Sequence, residues 1–226
     1  MRLIKKELFF EAIIKFIIGV ILIGLLLFVS AGTIKYWNAW ILMTLLFVPM
    51  FIVGIILMIK NPKLLEKRLR VEEKEKEQSL VIKLSGLMFL IGFMVAGLSY
   101  RFGWMQLPNW IIILGIVLFS LSYLMYGEVL RENTFLSRTI EVQENQKVID
   151  TGLYGIIRHP MYTATIVLFL SMPLILGSLV SFIIFLVYPI IIIMRIKGEE
   201  ELLEKELEGY KEYKQKIKFK LIPFLW

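Results

Sequence analysis

MYTATIVLFLSMPLILGSLVSFIIFLVYPIIIIM, Met161 to Met194, is the stretch that decides the fold. It carries no charged residue over 34 positions. A bilayer core about 30 Å thick is crossed by roughly 20 apolar residues in a helix, so this run is too long for one ordinary crossing. Pro173 and the Gly177-Ser178 pair lie near its middle, where a missing N–H and a flexible residue favour a break. The run therefore reads as a tight helical hairpin.

Outward from the hairpin, four more apolar runs of spanning length can be marked, at about Ala12–Gly32, Tyr36–Ile59, Leu80–Tyr100 and Leu107–Val129. The first is too long for the apolar region of a cleavable signal peptide and lacks a small-x-small site after it, so it is expected to be an anchor. The chain of 226 residues is 58% hydrophobic with a mean hydropathy of +0.75, well above the 45–50% apolar content of a soluble domain. The expected fold is an all-α integral membrane protein with about six transmembrane helices, the last two forming the hairpin, followed by a helical C-terminal segment.

Charge and the scarce residue types narrow the function. The net charge is +7, yet the cations stand between apolar runs, which points to orientation in a bilayer and not to nucleic acid. Arg2, Lys5 and Lys6, the stretch from Lys60 to Lys76, the segment holding Arg131, Arg138, Lys147 and Arg158, and the tail from Arg195 onward would all share one face. Only Lys35 and Arg101 fall opposite, while Lys15 and Lys83 lie within spans. The positive-inside rule then places both termini in the cytoplasm of a protein of the cell inner membrane. A five-span arrangement would leave the cationic tail outside and is set aside for that reason. No Cys and a single His, His159, exclude disulfide frameworks, thiolate nucleophiles and multi-histidine metal centres. No metal site is expected.

Polar residues concentrate in the second half. Gln143–Tyr162 (QENQKVIDTGLYGIIRHPMY) precedes the hairpin and Arg195–Tyr213 (RIKGEEELLEKELEGYKEY) follows it, so an antiparallel pair brings Arg158-His159 close to Arg195 and Glu199 at the cytoplasmic boundary. Arg195 and Glu199, at i and i+4, share a helix face, whereas Glu200 is turned away by about 100°. On spacing alone this is also what a snorkelling Arg with a neighbouring Glu would show; its context, a second ionisable cluster at the bilayer boundary, makes it a candidate site. Pro160 suits the first turn of a helix, which puts His159 at the N-cap with its ring free for a ligand. Thr151-Gly152-Leu153-Tyr154-Gly155 reads as a turn whose glycines permit close backbone approach. The connector from 60 to 79 reads as an amphipathic cytoplasmic link whose LLEKRL face lies on the membrane surface, with no role in chemistry. No nucleotide-binding G-x-G-x-x-G after a strand and no P-loop occur.

The ordered set TGLYGIIRHPMY, apolar hairpin, RIKGEE, EGYKEYKQKIKFKLIPF resembles the C-terminal core of isoprenylcysteine carboxyl methyltransferases and their prokaryotic relatives, over roughly residues 130–224. The resemblance implies a division into an N-terminal four-helix membrane region, 1–130, and a catalytic core, 131–226. It implies an S-adenosylmethionine-dependent methyltransferase whose cofactor pocket opens to the cytosol under a C-terminal cap, and whose lipidic or prenylated substrate arrives from the membrane. By position it assigns Gln143, Gln146, Lys147, Val148, Ile149, Tyr154, His159, Pro160, Met161, Tyr162 and Glu199 to the cofactor, and Arg195 and Glu200 to the reacting end. Gln146-Lys147 depart from the polar pair of the eukaryotic enzymes. A phospholipid N-methyltransferase is the nearest alternative, then a sterol-reductase-like enzyme using a nicotinamide cofactor, or a non-catalytic membrane protein. The expected state is a monomer among membrane lipids.

Overall fold

The computed structural model describes residues 2–69, 76–136 and 142–226. Among these residues it contains nine α-helices, one 3₁₀ turn and no strand: α1 (Arg2–Ala31), α2 (Trp37–Lys60), α3 (Pro62–Leu69), α4 (Lys76–Phe102), α5 (Asn109–Glu132), the 3₁₀ turn Gly152–Gly155, α6 (Pro160–Ile175), α7 (Leu179–Phe185), α8 (Val187–Glu206) and α9 (Tyr210–Lys216). Arg70 and Lys74 of the connector, and Arg138, lie outside the described residues. The all-helical class follows from the apolar runs, since a helix satisfies every backbone polar group within one segment.

Among the described residues, five helical stretches are long and apolar enough to cross a membrane: Glu7–Ala31, Trp37–Lys60, Ser79–Phe102, Asn109–Glu132 and Leu179–Glu206. The other arm of the hairpin, α6, has 16 residues, about 24 Å of helix at 1.5 Å per residue. The chain turns at Gly177, whose φ of +72° requires glycine. Ser178 then caps α7, its hydroxyl accepting from the Ser181 N–H at 3.2 Å. Pro173 stays within the last turns of α6.

The surface confirms the solvent for which the helices are built. Ile14, Ile18, Leu25 and Val29 on α1 and Trp110, Ile113, Val117 and Leu124 on α5 are exposed, an arrangement suited to lipid and not to water. Trp37, Trp104 and Trp110 are exposed together at the loop ends of α2, α4 and α5, as a belt at a membrane interface would be. Inside, Phe93, Phe119, Leu168, Met172, Phe185 and Tyr188 belong to one core. α5 packs most extensively on α6, and it does so through Gly115: a Cβ there would stand 2.9 Å from Leu174 Cβ and 3.0 Å from Ile175 N.

The connector differs from its sequence reading. Leu64 and Leu65 of α3 are buried, and α3 packs on α2 and α1 instead of lying free on the membrane surface. Lys15, in the middle of α1, explains part of this: its Nζ donates to the Leu69 carbonyl at 2.8 Å and is held in turn by Glu11 at 2.5 Å.

Candidate functional site

The polar strings converge where α5, α6 and α8 reach one end of the bundle. Pro160 opens α6 as its first residue, with His159 at the N-cap. Backbone N–H groups of Arg158 and His159 donate to the carbonyls of Phe219 and Lys220, each at 2.9 Å. Thr163 Oγ1 donates to the Leu221 carbonyl at 2.8 Å. The segment after α9 is thereby tied to the start of α6.

A buried ion cluster secures this junction. Glu200 Oε1 accepts from Arg158 Nε at 2.8 Å and lies 3.1 Å from His159 Nε2. Its other oxygen lies 3.2 Å from Lys220 Nζ and 3.6 Å from Lys214 Nζ. Arg158 Nη1 also donates to the carbonyls of Ile217 at 2.6 Å and Lys218 at 2.9 Å. Arg158, His159 and Glu200 are each about 95% buried. Charges so far from water persist only when paired and hydrogen-bonded. Of the His159 ring, expected to be free for a ligand, Nε2 faces Glu200, which leaves Nδ1 for that role.

Beside this junction opens a cleft of about 830 Å³, its mouth included. Of the residues singled out in the sequence, Gln146, Lys147, Val148, Ile149, Tyr154, His159, Met161, Tyr162, Arg195 and Glu199 line it. Gln143, Pro160 and Glu200 do not. Gln143 accepts from Lys67 and donates to the Phe135 carbonyl, so it fixes the wall from behind. Pro160 sets the helix start, and Glu200 belongs to the ion cluster. The turn away from Glu199 expected for Glu200 thus carries it out of the cleft.

On the α8 side, Arg195 Nε donates to Tyr162 Oη at 3.0 Å, and the Tyr162 hydroxyl donates to Glu199 Oε2 at 2.5 Å. His159 Nδ1 stands 4.0 Å from the same carboxylate oxygen. On the opposite wall, Asn133 Nδ2 donates to the Tyr154 hydroxyl at 3.1 Å, and Tyr213 Oη donates to the Tyr154 carbonyl at 2.8 Å. Gly152, at φ +53°, lets the turn that carries Tyr154 fold tightly against the Glu132 carboxylate.

The C-terminal cap was expected, but none of its residues was assigned to the site. Leu207, Tyr210, Tyr213 and Ile217 form a small core with Val142, Val148 and Leu203, and Tyr210 and Tyr213 line the cleft. Gly209 starts α9 in the left-handed conformation, φ +81°. The two tyrosines three apart in G-Y-x-x-Y share a helix face, and that spacing was the available signal. The Tyr210 hydroxyl is buried without a hydrogen-bond partner. Burial raises its pKa well above the ordinary tyrosine value, so it remains protonated in the wall of the cleft.

Fold and site together define an integral membrane protein with a polar cleft at the bilayer boundary. Residues 109–209 match the family model described as phospholipid methyltransferase, a segment that runs from α5 to the glycine that starts α9. Over that segment the chain is similar to phospholipid methyltransferases, and this match supports a membrane methyltransferase. No curated protein matches the chain.

Proposed function

We propose that the protein is an S-adenosylmethionine-dependent methyltransferase of membrane amphiphiles, and that it O-methylates the carboxylate of a prenylcysteine-like or other lipidic acid. The observation that carries this reading is the convergence of Tyr154, Met161, Tyr162, Arg195 and Glu199 with residues 146–149 on one cleft, with Tyr210, whose buried hydroxyl has no partner, in its wall. The distribution of cations supports a cytoplasmic position for both termini and the cleft.

The residues present suit the cofactor. Tyr210 offers a donor that needs an acceptor, Glu199 offers a carboxylate for cationic or hydroxyl groups, and Phe135, Leu136, Leu203 and Leu207 supply apolar walls. When bound, S-adenosylmethionine supplies an electrophilic methyl group. The chain's own part is positioning and the exclusion of water. A carboxylate is already nucleophilic at neutral pH and needs no general base. Arg195, steadied through Nε by Tyr162, is suited to hold such a carboxylate by a planar fork.

A second reading, N-methylation of a phospholipid, is favoured by the match of residues 109–209. An ammonium acceptor must first lose a proton. Glu200, ringed by Arg158, Lys214 and Lys220, is poorly placed to take it, and the role would fall to His159. Incubation of the purified protein with methyl-labelled cofactor and a mixed extract of lipids and prenylcysteines, followed by mild alkali, separates the two. Release of volatile methanol supports the ester. Label retained on a phospholipid head group moves the assignment to nitrogen, and no label on either class defeats both.

A further inference from the structure

We propose that α3 completes the site from outside the matched segment, with Arg68 forming a subsite for an oxyanion of the amphiphilic acceptor, a phosphodiester or a carboxylate. This rests on the methyltransferase reading and extends it to how the acceptor is held. Arg68 donates to the Tyr126 hydroxyl, and its guanidinium lies over the Tyr126 ring at 5.5 Å. Nη1 reaches Met161 Sδ at 3.9 Å, and Met161 lines the cleft. The first turn of α6 is therefore flanked by two guanidiniums, Arg68 on its α5 side and Arg195 on its α8 side.

Depth and rigidity support the assignment. Tyr126 is six residues before the end of α5 at Glu132, about 9 Å along the helix at 1.5 Å per residue. Arg68 is thus held inward of the end of α5 and beside Met161, which lines the cleft. α3 is also not a loose connector. Leu64 and Leu65 are buried, Lys15 fixes its last carbonyl at 2.8 Å, and Lys67 holds Gln143, behind the wall formed by residues 146–149. A guanidinium delivered by a docked helix to the apolar edge of a polar cleft is built to meet an anionic group that arrives from the membrane.

The test uses the full-length protein in detergent. Dioleoyl phosphatidylethanolamine and farnesylthioacetic acid serve as acceptor probes, titrated by native mass spectrometry, and S-adenosylhomocysteine is titrated by calorimetry. Arg68→Gln is expected to weaken one acceptor probe about tenfold or more, the effect of losing a charge-assisted hydrogen bond. Arg68→Lys is expected to restore part of that loss, a rescue that a merely structural role would not show. Tyr126→Phe, which leaves the charge in place but removes its orienting hydroxyl, is expected to weaken the same probe by about threefold. S-adenosylhomocysteine affinity is expected to stay unchanged in all three variants. Loss confined to the phospholipid identifies a phosphodiester, and loss confined to the farnesyl acid identifies a carboxylate. The subsite is overturned if both probes bind Arg68→Gln as tightly as wild type, or if neither binds the wild type. It is overturned equally if the affinity lost is that for S-adenosylhomocysteine, which would give Arg68 to the cofactor. Failure of wild-type protein to bind S-adenosylhomocysteine would defeat the methyltransferase reading itself, a result distinct from failure of the subsite alone.

Discussion

α1 and α6 are both apolar helices, yet they do opposite work. Along α1 the large apolar side chains face outward, from Phe9 and Ile14 to Leu25 and Val29. On α6, Pro160, Tyr162, Ala164, Leu168, Met172, Pro173 and Ile175 are buried, and its first turn takes part in most of the polar contacts of the cleft. An exposed face in lipid contributes little to packing, because the surrounding tails are as apolar as the side chains. A buried helix start wired to a distant segment is where stability and function meet.

Breaking the junction below α6 should have the largest effect. Glu200→Ala leaves the Arg158 guanidinium buried without its carboxylate, which should cost about 3–5 kcal/mol and free the segment after α9 from α6, whereas Arg158→Ala should cost less because Glu200 keeps His159, Lys220 and Lys214. Thermal unfolding in detergent, with limited proteolysis of the tail, measures both consequences. The double variant should cost less than the sum of the two single ones, because both remove one shared pair.

Arg195→Ala separates chemistry from binding. Methyl transfer to a lipidic acid is expected to be lost while S-adenosylhomocysteine affinity is largely kept, and Arg195→Lys should recover only part of the rate, since an ammonium lacks the planar fork. Single-turnover transfer measured beside calorimetric binding gives the split. Equal losses in both would move Arg195 to the cofactor side.

A smaller change is expected at the cap. Tyr210→Phe removes one neutral donor and should weaken S-adenosylhomocysteine by about 0.5–1.5 kcal/mol. The pH dependence follows from the raised pKa of Tyr210, which burial causes first and the nearby Glu200 second. A hydroxyl whose folded pKa lies above its unfolded value favours folding below the unfolded pKa, near 10, and loses that contribution only as pH rises through the folded value. The contribution of Tyr210 to stability, followed by thermal unfolding, is therefore expected to be flat between about pH 7 and 9. At the other end of the comparison, Ile18→Ala on the exposed face of α1 should shift stability by no more than about 0.5 kcal/mol.

The same contrast shows what the amino-acid order discloses. The spans were legible because a bilayer demands long apolar runs, and the hairpin turn was legible in Gly177-Ser178. The cleft residues from Tyr154 to Tyr162, with Arg195 and Glu199, were legible because polar residues at a bilayer boundary need a reason. The fate of Glu200 was not, because its partners Lys214 and Lys220 arrive from a segment with no periodic signal of its own. The docking of α3 was equally hidden. Lys67 meets Gln143 and Arg68 meets Tyr126 and Met161, and local pattern does not encode pairings between positions so far apart in the chain. Tyr210 escaped for the same reason, since its importance lies in a buried hydroxyl left without a partner.

The most direct test of the central claim is calorimetric titration of the purified, detergent-solubilised protein with S-adenosylhomocysteine, wild type against Glu199→Ala. Saturable binding of one ligand per chain is expected, weakened roughly ten- to a hundredfold in the variant through loss of a charge-assisted contact of about 1.5–3 kcal/mol. A wild-type protein that gives no binding heat, or a Glu199→Ala variant that binds as tightly as wild type, would contradict the assignment of this cleft.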